Sequence, residues 1–379
     1  MDQYRPSPGT TARTCNVARQ GGQDRARVLW IDVAKGLSIL LVVFLHAHVF
    51  LGARDLSSDV YLTLNRLFNP VRMPLFFFIS GLLASAALAK GAGFVLRRKI
   101  TYFAALFMLW SAVHIGFFAY MPWHPFATYT EGLAGMWLQG LRRPETAIWF
   151  VWALAFHFAF ALCLARRPWL AAGLALAGGV FGATNVMLSW GYNGPQQNLF
   201  TYLPFFVLPA LFATRLPDAD IKDAVRLLVV GVMLAALSKA GLGVTQGGLP
   251  GGLLGLAKLA GGLGVGIGVS FLLSRSAAAG SVLSWLGRHT LAIYLLHPLV
   301  LGLGVAVFEQ MPRAPVVAFG TAVATIMSLG LCLGLEALIR RSGAGWIFQP
   351  LRPDGVRLTF AGRLAPLRET VNERAPDRT

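Results

Sequence analysis

The chain is 379 residues long, 56% hydrophobic and only 13% charged, with a mean hydropathy of +0.61. A soluble domain carries about twice that share of charge, so the composition excludes an ordinary soluble fold and points to a polytopic membrane protein. The net charge of +17 raises nucleic acid as a partner, but the basic residues lie in short loops and tails between apolar spans, a distribution that reflects topology.

Three cysteines, Cys15, Cys163 and Cys332, form neither a disulfide framework nor a metal-ligand spacing, and no metal site is predicted. The first ~26 residues read as a polar tail; the apolar run after them is too long for a signal-peptide core and lacks a small-x-small cleavage site, so it predicts a retained first span.

Ten segments approach the length needed to cross the apolar core, near (about) 28–50, 72–90, 99–120, 147–165, 169–190, 199–214, 225–243, 252–274, 285–308 and 315–339. The fold class expected is therefore all-α, polytopic, with about ten transmembrane helices. With both termini in the cytoplasm, 24 Lys and Arg fall on the inner side and seven in outer loops, among them Arg66 and Arg72. A missed span would invert every later loop and destroy this bias, so it supports the count and the orientation. The domain division follows: a cytoplasmic tail 1–26, a transmembrane domain 27–340, and an Arg- and Pro-rich cytoplasmic tail 341–379 without apolar periodicity.

The first span carries three ionisable residues, Asp32, Lys35 and His46, and such groups are costly at membrane depth. Eleven helical steps of about 100° return His46 to within roughly 20° of Lys35, and Asp32 lies about 40° from His46 on the same stripe. Lys35 and His46 are separated by about 16 Å along the axis, so they cannot hydrogen-bond. Asp32 and Lys35, three apart, are placed to pair. A neutral buried histidine suits general-base work near neutral pH, while spacing alone equally fits a core histidine bonded to a neighbouring helix. His48 points away from the stripe and is the weaker candidate.

The second span opens Arg72-Met-Pro-Leu-Phe-Phe-Phe-Ile-Ser80-Gly81, whose small residues favour close contact with another helix. Ahead of the third span stand Lys90, Arg97, Arg98 and Lys99. These serve topology, and guanidinium forks also suit phosphate, which coenzyme A carries several times over. The glycine-dense stretch 241–268 reads as close helix packing rather than a phosphate loop, since no Gly-Lys-Ser/Thr follows it. In the ninth span Tyr294 and His297 share a face ahead of Pro298, either as a substrate contact or as a core pair. His114, His157, Lys258 and Glu336 read as satisfied interior residues, and the amides of the loop 191–198 fit sugar hydroxyls or simple loop composition equally well.

Taken together, Trp30-Ile-Asp32-Val-Ala-Lys35-Gly36 with His46, Met73-Pro-Leu-Phe-Phe-Phe-Ile-Ser80-Gly81, and Leu286-Gly-Arg-His-Thr-Leu-Ala-Ile-Tyr294-Leu-Leu-His297 resemble, in this order, signatures of the acyltransferase-3 family. These are integral-membrane carbohydrate O-acyltransferases; the fucose 4-O-acetylase-like branch is the most similar in flavour. Trp149-Phe-Val and Tyr202-Leu-Pro-Phe-Phe are weaker matches. The resemblance implies a ten-helix protein of the bacterial inner membrane. It implies acyl transfer from cytoplasmic acetyl-CoA or another acyl-CoA to a sugar hydroxyl of a surface polysaccharide or lipid-linked glycan, with no bound cofactor. It implies His46 as the catalytic residue, supported by Lys35 and Asp32, with Arg97 and Arg98 at the CoA and Arg72, Ser80, Trp149, Tyr294 and His297 at the substrates. Lys35 stands where many members have Arg and lacks the planar fork. The alternative function is a transporter or flippase of lipid-linked sugars, for which the chain shows no inverted repeat or paired broken helices.

Overall fold

The computed structural model describes residues 8–121, 133–142, 144, 147–184, 186–192, 194–212, 220–245 and 248–350, with side chains of the first helix from Leu29 onward. The tail positions 1–7 and 351–379, and Arg143, Asn193 and Arg215, lie outside the described residues. Among the described residues there is no strand, and the protein is all-α.

Helix α1 (Pro8–Gly52) includes the apolar stretch Leu29–Gly52. Next come α2 (Asp59–Leu88) and the single turn α3 (Ala92–Val95), which continues through a five-residue π-helical stretch (Leu96–Ile100) into α4 (Thr101–Ala119). After the short α5 (Leu133–Arg142) come the apolar α6 (Trp149–Cys163) and α7 (Pro168–Ala183), one turn of α8 (Val186–Ser189), α9 (Gly194–Thr201) and α10 (Leu203–Phe212). The last group is α11 (Ile221–Leu242), α12 (Gly248–Ser274), α13 (Ala277–Arg288), α14 (Thr290–Phe308) and α15 (Arg313–Arg341). A 3₁₀ turn over Ala344–Phe348 follows.

Seven helices among the described residues are long and apolar enough to cross a membrane: Leu29–Gly52, α2, Ala92–Ala119, α11, α12, α14 and α15. The other three expected spans are helical where expected but shorter. The fourth and fifth are α6 and α7, and the sixth is divided at Tyr202 into α9 and α10. Pro204 suits the division, because at the second position of α10 its missing N–H falls in the first turn, where the helix needs no such donor.

Two boundaries differ from expectation in ways that matter for the site. Helix α2 begins at Asp59, after an extended Ser58, and runs through Pro70 and Pro74. The prolines favoured a later start, but the acidic Asp59 in the first turn suits the helix dipole. Arg66 and Arg72 therefore lie within a helix and not in an outer loop. The ninth expected span breaks at His289 (φ −105°, ψ 10°) into α13 and α14.

Helix α1 lies against α2, α12, α13, α14 and α15. Its contact with α13 is backbone to backbone: a Cβ on Gly36 would strike the Leu283 carbonyl, and one on Gly287 would strike the Asp32 carbonyl. The glycine-dense stretch packs as expected, with Gly262 against the Pro70 backbone of α2 and Gly261 against Gly231 and Ala235 of α11. Gly287→Val is expected to remove most of the stably folded protein, since no flexible side chain can give way. Overpacking of this kind costs about 1–3 kcal/mol or more. Thermal unfolding in detergent checks this, and a wild-type midpoint would contradict the close approach.

At one end of the bundle Arg54 bonds Glu309, and Arg313 bonds the Asp55 carbonyl at 3.2 Å. At the other end Glu336 holds His289 at 2.8 Å and Arg340 at 2.7 Å, joining the α13–α14 break to α15. Lys90, Arg97, Arg98, Arg166, Arg167, Arg275, Arg340 and Arg341 all belong to connections or helix ends on this second side, called here the basic end. The predicted 341–379 tail is not featureless at its start. Phe348 is buried, its carbonyl accepts from Tyr102 at 2.9 Å, and the Ile347 carbonyl accepts from the Trp110 indole at 2.9 Å.

Candidate active site

The stripe on α1 divides between two places, as its length requires. Toward the basic end, Lys35 Nζ and Asp32 Oδ1 form an ion pair at 2.5 Å, with side chains 9% and 14% exposed. The i,i+3 spacing brings them together, and pairing is what makes two charges tolerable at this depth.

Lys35 also lines a cavity of about 120 Å³ between α1, α2, the α3–α4 segment, α6 and the α13–α14 junction. Its cations are Lys35, Lys99 and Arg288; its hydroxyls are Ser80 and Thr290. Arg288 is exposed and Lys99 half-buried, so the charged side of the cavity communicates with the basic end. The remaining wall is apolar and aromatic, including Phe76, Phe150, Phe158 and Tyr294. A cationic mouth leading to an apolar throat suits a ligand with a polyanionic head and a slender chain.

Arg97 and Arg98, the residues expected at this point, are exposed and do not line the cavity; Lys99 does. The π-helical stretch over Leu96–Ile100 accounts for the change. One extra residue per turn rotates the following positions relative to an ideal helix, and π-bulges recur at functional sites. No local sequence signal marks that shift. Arg288 stands within the late motif Leu286-Gly-Arg-His and was not singled out as a site residue.

Further along α1, His46 meets His297 of α14. Their rings are 4.9 Å apart, with His297 Nε2 and His46 Nδ1 at 3.2 Å. His46 Nδ1 donates to the Val42 carbonyl at 2.9 Å, and His297 Nδ1 donates to the Ile293 carbonyl at 3.0 Å. Beside them Arg72 is only 3% exposed. Its guanidinium donates to Leu41 O at 3.4 Å, Asn65 Oδ1 at 3.2 Å and Asn69 Oδ1 at 3.2 Å. Those partners are neutral, so a buried positive charge stands one residue along α1 from the His46–Val42 bond. Asn65 and Asn69 were missed because α2 was expected to start later. Their spacing of seven and three residues from Arg72 becomes a face signal once the helix includes them.

Between the cavity and the histidine pair lies an aromatic partition. Phe76 stacks on Phe150 with centroids 4.4 Å apart, and Phe150 meets Tyr294 edge-on at 5.8 Å. The Tyr294 hydroxyl donates to Ala147 O at 2.5 Å and accepts from the Phe150 N–H at 3.1 Å. Tyr294 thus satisfies a first-turn donor of α6 while its ring faces the cavity. Trp149 stacks on Tyr202 at 6.0 Å behind this layer. Ser80 reaches the cavity while its hydroxyl donates to Phe76 O at 2.8 Å; its neighbour Gly81 makes the close contact, against the Phe206 carbonyl.

Several other polar residues have structural partners, while the buried Ser38 and Ser111 hydroxyls have none among the described residues. His114 Nε2 donates to Leu295 O at 2.9 Å, and His157 Nε2 donates to Leu199 O at 2.8 Å. His48 bonds Ser57 at 2.7 Å. Gln196 and Gln197 donate to Arg142 O and Gly182 O, so their amide donors serve packing. Among the described residues no His, Cys, Asp and Glu cluster is arranged to hold a metal.

The histidine pair, with His297 buried and His46 partly accessible, lies one helical turn past the end of a cation-lined cavity. The family model described as an acyltransferase domain matches residues 28–335. The chain belongs to the acyltransferase-3 family and is a multi-pass membrane acyltransferase. No curated protein and no solved structure matches it.

Proposed function

We propose that the protein is a membrane O-acetyltransferase of the bacterial inner membrane that moves an acetyl group from acetyl-CoA to a sugar hydroxyl of a surface polysaccharide or its lipid-linked precursor. The observation that carries this reading is the cavity running from Lys35, Lys99 and Arg288 to Tyr294. His297 follows Tyr294 by three residues, about 4.5 Å along α14, and leads to His46.

In this reading the basic end and both termini face the cytoplasm. The CoA phosphates sit among the three cations, and the thioester arm enters the apolar throat. The acceptor hydroxyl oxygen bonds to the thioester carbonyl carbon while His46 Nε2 takes its proton. The C–S bond then breaks, and the CoA thiolate leaves with the proton returned by His46. Arg72 supplies positive charge next to the developing oxyanion. CoA is a substrate, and no resident cofactor is required. The resemblance of the three ordered motifs to carbohydrate O-acyltransferases favours a sugar acceptor.

Purified protein in lipid nanodiscs should consume acetyl-CoA and release free CoA only when the glycan acceptor is supplied. Cells lacking the protein should lose O-acetyl groups from their surface glycan. Glycan transfer across the bilayer without acetyl-CoA consumption would instead establish the flippase reading.

A further inference from the structure

The histidine pair carries an assignment that goes beyond the identity of the base, although it rests on His46 being that base. Each ring has one nitrogen committed by a backbone carbonyl, which can only accept. His297 Nδ1 lies 3.0 Å from Ile293 O, so in the neutral ring the proton is on Nδ1 and Nε2 is a lone-pair acceptor. His46 Nδ1 lies 2.9 Å from Val42 O, so it too bears its proton. The 3.2 Å contact between His46 Nδ1 and His297 Nε2 then has one sense: His46 donates and His297 accepts. The single N–H is shared between Val42 O and His297 Nε2 as a three-centre bond.

The consequence is at the other nitrogen. With Nδ1 protonated, His46 Nε2 carries the lone pair, and no described residue hydrogen-bonds to it. His46 is partly accessible, whereas His297 is fully buried.

Other charged or titratable groups beside the pair are Arg72 on α2, bonded one residue away at Leu41, His114 on α4, bonded to Leu295 of α14, and Tyr294 on α14. The Tyr294 ring lies 5.9 Å from His297, and its hydroxyl is held by Ala147 O and the Phe150 N–H. Arg72 has only donors. His114 donates through Nε2 to Leu295 O, which leaves a lone pair on its Nδ1, but no hydrogen bond joins that nitrogen to either ring. No carboxylate among the described residues contacts either ring.

We infer that His297 is the positioning residue of the reaction, fixing His46 in the tautomer whose Nε2 is free and accepting from its Nδ1–H as the ring becomes positive. The role is the one a carboxylate performs in a Ser-His-Asp triad, taken here by an uncharged acceptor. An uncharged acceptor suits a membrane interior, where a carboxylate waiting beside a neutral histidine would be an unpaired charge. As Nε2 takes the hydroxyl proton, the Nδ1–H···Nε2 bond becomes charge-assisted and strengthens in step with the transition state.

A double-mutant cycle tests this. His297→Leu is expected to lower kcat on the order of 10- to 100-fold, below the 10²–10⁴ attributable to the base itself, with KM for acetyl-CoA unchanged. His297→Gln, whose side-chain carbonyl can accept from the same N–H, should recover most of that loss. In a His46→Ala background, His297→Leu should cost nothing further.

A purely structural His297 would damage both backgrounds equally. A substrate-binding His297 would raise KM and spare kcat. Either result overturns the inference, as does a wild-type kcat in His297→Leu. Where the leucine variant melts early, the glutamine variant decides, since equal losses in the two remove the acceptor role. Full activity in His46→Ala would overturn the base assignment itself. Loss there with none in His297→Leu overturns the role of His297 alone.

Discussion

His46→Ala is expected to lower kcat for acyl transfer by roughly 10²–10⁴, the usual contribution of a positioned general base. The KM for acyl-CoA should stay near that of the wild type, because His46 does not line the cavity where the donor is proposed to bind. Folding should also survive. His46 is only partly buried, and its replacement frees the Val42 carbonyl, which the helix can bond through its own backbone, and the His297 Nε2 acceptor. The measurement is acyl incorporation into glycan at saturating donor, with membrane insertion and thermal unfolding as controls. Full activity in a normally inserted variant would sink the assignment.

The second large effect is expected at Lys35, where two roles can be separated. Lys35→Met leaves the Asp32 carboxylate without its 2.5 Å partner inside an apolar span. Breaking one side of a buried pair costs about 3–5 kcal/mol, because the surviving charge is left uncompensated. The same change removes one of three cations at the cavity mouth and should raise KM for acyl-CoA about tenfold, equivalent to some 1.4 kcal/mol of binding.

Adding Asp32→Asn removes the stranded carboxylate, so the double variant should regain most of the thermal stability and none of the affinity. A double variant with wild-type KM would show that Lys35 serves only the ion pair. A single variant with a wild-type melting midpoint would show that the pair contributes nothing to stability. The lysine in place of the arginine many members carry is consistent with this division of labour. A point charge satisfies Asp32 and attracts a phosphate without needing a planar fork.

Much of this was legible in the chain. The share of charge, the apolar segments and the basic bias of alternate loops define the class. The α1 stripe could be read from helical geometry alone, including the fact that Lys35 and His46 are too far apart to act as a dyad. Less could be read where a local irregularity changes the register. Arg97 and Arg98 yielded to Lys99 because of a π-helical stretch without a composition signature. Asn65 and Asn69 were hidden because two prolines obscured the start of α2. The tail's Phe348 was missed because a single buried aromatic has no periodicity.

The sequence by itself determined that this is a helical membrane protein with an ionisable stripe on its first span, since composition and helical period act within a segment. The acyltransferase class rests on the resemblance of its ordered motifs and the family match. Only the tertiary structure decided that His46 partners His297, 251 residues away, and that Lys35, Lys99 and Arg288 share one cavity. Periodicity shows which side of a helix is polar but not which helix that side meets. That choice is made by backbone approach, as where Gly36 and Gly287 let α1 and α13 touch and carry α14 into reach of His46.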